Sequence, residues 1–331
     1  MQTPVHITCI FWATLLFILV SCTSAQTTPQ PLVPQSNTTM VDGGILPLQK
    51  NPVQTESIST QEILPTIQAP TKTSIHKYTS FVYQLKNARF EKLTSIPADL
   101  LIVDADDTRF STKELESLRA TKTVLAYLSI GEAEEQRDYW RSQWTPRDPP
   151  WLYTEHPEKP SRYRVRFWDL AWQTIVQQRL AELLVRGYSG VYVDGVESFT
   201  FWEYKQETEA RQLMISTIKN LAIIAHKIRT DALIFVHNGE ELLSDSTYVE
   251  SIDGIGKEKV WYDENLKVPA HETQQIITTL MPAIVANKTV LIIDYPTERK
   301  KRCEVMKLAR EHDYLGYTPT RELDRVVNEN C

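Results

Sequence analysis

From Phe81 to the C-terminus the sequence alternates between two periods. Short apolar, β-branched runs lie at Phe81–Leu85, Leu100–Asp104, Val124–Ser129, Gly190–Asp194, Leu233–His237, Gly254–Trp261, Val290–Asp294 and Tyr314–Tyr317. Stretches with helical spacing separate most of them. Strands that are apolar on both faces belong in a sheet covered on both sides, which is what parallel strands with helical crossovers produce. Eight such units over roughly 250 residues fit a closed (β/α)8 TIM barrel of the α/β class better than an open sheet. No G-x-G-x-x-G follows the first run, which argues against the doubly wound alternative. The sixth and eighth runs are the weakest strand signals.

Helix boundaries are marked locally. Ser111 and Glu114 have capping-box spacing. Ala171–Arg186 carries Ile175, Leu180, Leu183 and Leu184 on one face and is followed by Gly187, a suitable stop. Phe201–Thr230 reads as one longer helix, and His271–Asn287 and Glu298–His312 supply two more.

The first 77 residues are of another kind. Ile10–Val20 is an uninterrupted apolar run, too short to span a bilayer comfortably, and Ser21, Cys22, Thr23, Ser24 and Ala25 follow it. Residues 1–22 therefore read as a signal peptide. Leu19-Val20-Ser21-Cys22 resembles a lipobox ending at Cys22, and cleavage after Ala25 is the rival reading. Residues 23–77 are rich in Thr, Pro, Gln and Ser, with isolated apolar positions. That composition cannot offset chain entropy, so a disordered linker is expected, with the folded domain at 78–331. The protein is expected outside the cell or in its envelope, touching a membrane only through a lipid on Cys22. Cys303 and Cys331 are left for the folded part, and an oxidising compartment would permit their pairing. Two free thiols are the alternative.

Lys and Arg number 36 against 42 Asp and Glu, a formal charge of −6. With no long basic cluster, nucleic acid is excluded as a partner. The histidines are scattered, and no zinc motif, nucleophile elbow or P-loop is present, so neither metal nor cofactor is expected.

Catalytic groups of a barrel project from the C-terminal ends of its strands. Six of the eight ends here carry carboxylates: Asp104 and Asp106, Glu132, Asp194, Glu240, Glu258 and Asp294. Acidic residues also cap helices at such turns, so any single one is more readily structural. A ring of them at one rim repels itself unless it meets cations, hydroxyls or amines. Seven tryptophans lie beyond the linker, three of them (Trp140, Trp144 and Trp151) in the Pro-stiffened segment from Asp138 to Arg166. That segment is expected to be a long loop walling the site. Aromatic faces could stack on sugar rings, although most of these tryptophans are expected to pack between loop and barrel.

Four ordered motifs carry a family resemblance: Ala126-Tyr127-Leu128-Ser129-Ile130-Gly131-Glu132-Ala133-Glu134, then Phe167-Trp168-Asp169 with Trp172-Gln173, then Gly187-Tyr188-Ser189-Gly190-Val191-Tyr192-Val193-Asp194, then Asn238-Gly239-Glu240-Glu241-Leu242. Together they resemble glycoside hydrolase family 114, the endo-α-1,4-polygalactosaminidases. The resemblance spans the folded region and implies a (β/α)8 barrel that hydrolyses α-1,4-linked galactosamine-containing polysaccharide. It places a nucleophile after strand four, at Asp194, and an acid/base after strand six, at Glu258. Glu240 is the alternative acid/base, because its local motif is the stronger. Asp104, Asp106, Tyr127, Glu132, Trp168, Asp169, Tyr192, Asn238 and Asp294 are the candidate substrate-binding residues. Two carboxyls are what glycoside hydrolysis needs, and crowding would hold one of them protonated. A carboxylate-lined mouth also favours a cationic amino-sugar polymer. The rival readings are a non-catalytic carbohydrate-binding barrel and a glycosidase for another α-linked sugar. A monomer is expected.

Overall fold

The computed structural model describes residues 78–327 and 331, so the expected signal peptide and the whole of the expected linker lie outside the described residues. Eight parallel strands form one sheet in chain order. We label them β1 (Phe81–Gln84), β2 (Leu100–Val103), β3 (Thr123–Ser129), β4 (Gly190–Asp194), β5 (Leu233–His237), β6 (Gly254–Glu258), β7 (Thr289–Ile293) and β8 (Leu315–Tyr317). Each matches one of the eight apolar runs. The expected (β/α)8 TIM barrel is thus the architecture.

The ladders run from β1 to β8 without interruption, and among the described residues none joins β8 back to β1. That seam is closed in two other ways. The rings of Phe81 and Tyr317 meet across it at 5.4 Å. The segment after β8 then folds back, and Leu323 O accepts from the backbone N–H of Leu85 and Lys86 at 2.9 and 3.0 Å.

Two large-for-small exchanges set the interior packing. Tyr192 on β4 and Phe235 on β5 lean toward β6 and occupy the space that side chains at Gly256 and Gly254 would need; a Cβ there would collide with the Tyr192 hydroxyl and the Phe235 ring. Sequence alternation thereby fixes the phase of β6. Gly254, Gly256 and Glu258 share the inner face, and Lys257 takes the outer one.

The helical crossovers follow their local signals. Ser111 and Glu114 form the complete capping box of helix Thr112–Arg119. Asp169 caps Leu170–Arg186, and Gly187 ends it at φ 113°. Two expectations are corrected. Phe201–Thr230 is not one helix: Ser198–Lys205 stops at Gln206 in the left-handed region, and Ala210–Ile228 starts afresh. The segment from Asp138 to Arg166 is not a bare loop either. Its strands Leu152–His156 and Lys159–Val165 join Glu132–Glu134 in a small antiparallel sheet above β3. The alternation of Tyr153, Tyr163 and Val165 with polar residues carried that signal, but the prolines masked it.

All seven tryptophans belong to the packing. Trp151, Trp172, Trp202 and Trp261 are buried, and Trp140, Trp144 and Trp168 pack against the core. Trp140, Trp144, Trp151 and Trp172 form a continuous edge-and-face chain that glues the small sheet to helix Leu170–Arg186. The indole N–H of Trp172 is satisfied by Ile130 O at 2.8 Å, and that of Trp202 by Val165 O at 3.1 Å. Cys303, on helix Arg299–Glu311, is disulfide-bonded to Cys331.

Candidate active site

Asp194 is the last residue of β4, and its even-numbered phase with Tyr192 turns it into the barrel mouth. Its Oδ2 accepts from the Tyr127 hydroxyl of β3 at 2.6 Å. The same hydroxyl lies 3.3 Å from Glu134 Oε1 and accepts from Arg162 Nη1 at 3.3 Å. Burial, then the charges of Asp194 and Glu134, raise the Tyr127 hydroxyl well above its ordinary value, so it stays a proton donor.

Glu258 ends β6 on the same inner face. Its Oε1 accepts from the Tyr295 hydroxyl and lies 3.4 Å from His237 Nε2. The other ring nitrogen of His237 is 2.6 Å from the Tyr192 hydroxyl. Burial works against a charge on His237, but Glu258 and, more weakly, Asp194 and Glu197 hold it up at about 9. Burial likewise works to raise Glu258, but His237, Tyr295 and Arg321 bring it down to about 2. At neutral pH the proton of this pair rests on His237 and Glu258 is a carboxylate, so the expectation that crowding keeps a carboxyl protonated is not met at Glu258: the imidazolium beside it outweighs the neighbouring carboxylates. Asp194 and Glu258 both bear electrostatically on this imidazole and on the Tyr192 hydroxyl, so the ends of β4 and β6 face one shared space.

The remaining carboxylates divide by their partners. Glu240 is buried and pairs with Lys257 Nζ at 2.8 Å. Lys257 points to the outer face of β6, so this pair sits behind the strand that presents Glu258. Asp104 and Asp106 are both held by Arg137 Nη1 at 2.8 Å, and Asp106 is also paired with Arg179. Asp294 is buried and accepts from the backbone N–H of Val260, Trp261 and Tyr262 at 2.8–2.9 Å, which clamps the turn after β6. Burial pushes its carboxyl up to about 6 against the pull of those three donors. Glu132 faces His156, Lys159 and Arg162 at 3.7–3.8 Å. The Asp169 side chain accepts from Ala171 N as a helix cap, and Trp168 packs edge-on against Phe167 and Trp202. Asn238 takes φ 55° and accepts from Glu258 N at 3.3 Å, which steadies the end of β6.

Four residues with a part in this site carried no signal in the motifs: Glu197, His237, Tyr295 and Arg137. Glu197, three residues beyond Asp194, is raised to about 7 by burial and then by the Asp194 charge. An acidic residue in the turn after β4 was its one visible mark. The partners of the other three come from other strands, which no local motif records.

A parallel barrel with carboxylates gathered at the C-terminal mouth and paired at the ends of β4 and β6 has the architecture of a barrel glycoside hydrolase. Residues 63–330 match glycoside-hydrolase family GH114, and the chain belongs to that family. Among curated relatives, an uncharacterized protein of Methanocaldococcus jannaschii is 29% identical over 269 residues, covering 74% of this chain and 77% of its own. One from Deinococcus radiodurans is 26% identical over 280 residues, covering 83% and 90%. Among solved structures, the glycoside hydrolase domain of PelA from Pseudomonas aeruginosa superposes with a TM-score of 0.62 at 18% identity, over 76% of this chain and 98% of that one. Aspergillus fumigatus Ega3, solved in complex with galactosamine, gives 0.61 at 17% identity over 76% and 94%. No helix among the described residues is long and apolar enough to cross a membrane.

Proposed function

We propose that this glycoside hydrolase cleaves an α-1,4-linked, galactosamine-containing polysaccharide, with Asp194 as nucleophile and Glu258 as acid/base. The observation that carries the reading is the chain from Glu258 to His237 at 3.4 Å and from His237 to Tyr192 at 2.6 Å, with Asp194 two residues beyond Tyr192 on the same face of β4. Family membership supports the reaction class, and the galactosamine bound by Ega3 supports the sugar. A net charge of −6 and an acidic mouth agree with a cationic polymer.

In this mechanism Asp194 attacks the anomeric carbon through Oδ1 while Tyr127 holds Oδ2. The glycosidic bond breaks, and its electron pair leaves on the departing oxygen. That oxygen takes, through Glu258, the proton that His237 holds at rest, which leaves a carboxylate and a neutral imidazole. The resulting carboxylate–imidazole pair then accepts a proton from the water that releases the sugar from Asp194, which restores the starting state. Glu258 is favoured over Glu240 because Glu240 is committed to Lys257 on the outer face of β6. The leader at residues 1–22 and the linker at 23–77 support export, with the barrel tethered to the envelope if Cys22 is lipidated.

The test is turnover of purified deacetylated galactosamine polymer. Asp194→Asn should lose at least about a thousandfold in kcat, since an amide cannot displace the leaving group. Glu258→Gln should fall comparably. Glu240→Gln should lower stability by about 3 kcal/mol, through loss of a buried ion pair, yet keep most of its turnover. Full activity in Asp194→Asn would end the proposal, and loss confined to Glu240→Gln would move the acid/base role there.

A further inference from the structure

The Tyr127 hydroxyl has one proton and two carboxylates within reach. Asp194 Oδ2 is at 2.6 Å and Glu134 Oε1 at 3.3 Å. The two oxygens of Glu134 are unequally served. Oε2 accepts from Gln136 Nε2 at 2.7 Å and from Arg137 Nε at 2.9 Å, with Arg137 Nη2 at 2.8 Å. Oε1 faces only the Tyr127 hydroxyl and Arg162 Nη1, the latter at 3.5 Å. Glu134 has no solvent-exposed surface, so no water competes for that oxygen from outside. Its position is over-determined. Its backbone N–H donates to the Tyr139 hydroxyl at 3.0 Å, and Arg137 is itself anchored on Asp104 and Asp106.

We propose that Tyr127 is a two-position hydrogen-bond switch and that Glu134 is the positioning residue that makes the second position available. In the free enzyme the proton points to Asp194. As Asp194 Oδ1 bonds to the anomeric carbon, Oδ2 changes from a carboxylate oxygen to an ester carbonyl, a weaker acceptor. The Tyr127 proton then turns to Glu134 Oε1 and never leaves its own oxygen. When water cleaves the ester the carboxylate returns, and the proton turns back to it.

The arrangement has a physical rationale. A donor fixed on Asp194 alone would stabilise the charge that the attack must consume, and so would stabilise the ground state more than the transition state. A second acceptor compensates the donor as that charge is spent. The two guanidinium groups on Glu134 keep it the weaker acceptor at rest, which agrees with the longer distance to it.

This inference rests on Asp194 as nucleophile. Its test is a double-mutant cycle on kcat for the same polymer with Tyr127→Phe and Glu134→Gln in the full chain, with melting temperature as a control. Glu134→Gln should lower kcat about tenfold with KM changed less than twofold. In the Tyr127→Phe background the same substitution should change kcat by less than threefold, because no proton is left to redirect. If Glu134 only held Arg137 in place, the two losses would multiply, and that result would overturn the switch. Should Glu134→Gln fail to fold, Glu134→Asp serves in the same cycle: it keeps the charge for Arg137 and withdraws the oxygen from Tyr127. Multiplied losses combined with an inactive Asp194→Asn would remove the switch alone. An active Asp194→Asn would remove the reading beneath it.

Discussion

His237 and Glu258 show how two buried groups set each other's charge. His237 is held at about 9 and Glu258 at about 2, each against the pull of burial. A raised histidine value means that its stabilising contribution is complete below the ordinary 6.5 and is lost as the pH climbs through about 9. A lowered carboxylate value means that its contribution is complete above the ordinary 4.5 and is lost as the pH falls toward about 2. Thermal unfolding should therefore show a plateau from pH 4.5 to 6.5 and decline on both sides. His237→Gln should flatten the alkaline decline; an unchanged slope above pH 7 would show that other groups cause it. Turnover should fall by about tenfold per pH unit above 9, where the His237 proton is gone.

The element that decides the site is β6. Its weak strand signal comes from two glycines, and those glycines are there to admit Phe235 and Tyr192. A Cβ at Gly256 would drive against the hydroxyl that holds His237 at 2.6 Å. Gly256→Ala should cost about 1–3 kcal/mol by overpacking and reduce kcat through the displaced imidazole. Adding Tyr192→Phe removes the clashing oxygen and should recover most of the stability while leaving kcat low. Calorimetric melting of the single and double variants checks the first claim, and polymer turnover the second. A double variant no more stable than Gly256→Ala would show that the backbone, not the hydroxyl, takes the strain.

For the whole molecule, closure of the barrel and completion of the site are linked through the C-terminal segment. Residues after β8 seal the β1–β8 seam through Leu323, and they place Arg321 over the Tyr295 ring at 4.9 Å. Tyr295 in turn donates to Glu258. The disulfide between Cys303 and Cys331 closes a loop, with a sequence separation of 28, that contains β8 and this segment. Cys303→Ser should lower stability by about 3 kcal/mol, the loss expected for a loop of this length. Below its melting temperature the variant should keep the barrel and show reduced turnover as Arg321 loosens. Wild-type stability in Cys303→Ser would mean that the seam contacts alone hold the segment.

The sequence by itself determined the barrel. Strands buried on both faces must be apolar throughout, helices between them must be amphipathic, and both patterns are local, so eight runs identified eight strands. The sequence also placed Asp194 at a strand end and Glu258 within the sixth run, but left Glu240 as its rival; the packing of Tyr192 and Phe235 against Gly256 and Gly254 set the phase of β6 and so put Glu258 and Lys257 on opposite faces. Only the tertiary structure decided which carboxylates are free for chemistry. Asp294 is committed to N–H groups more than thirty residues away, Asp106 to Arg137 and to Arg179, 31 and 73 residues on, and Glu240 to a lysine on the next strand. Those partners meet only when the sheet curls and brings distant strand ends together. The charge state of each carboxyl depends on that meeting, because at short range in a buried setting the partner, not the residue type, sets where the proton sits.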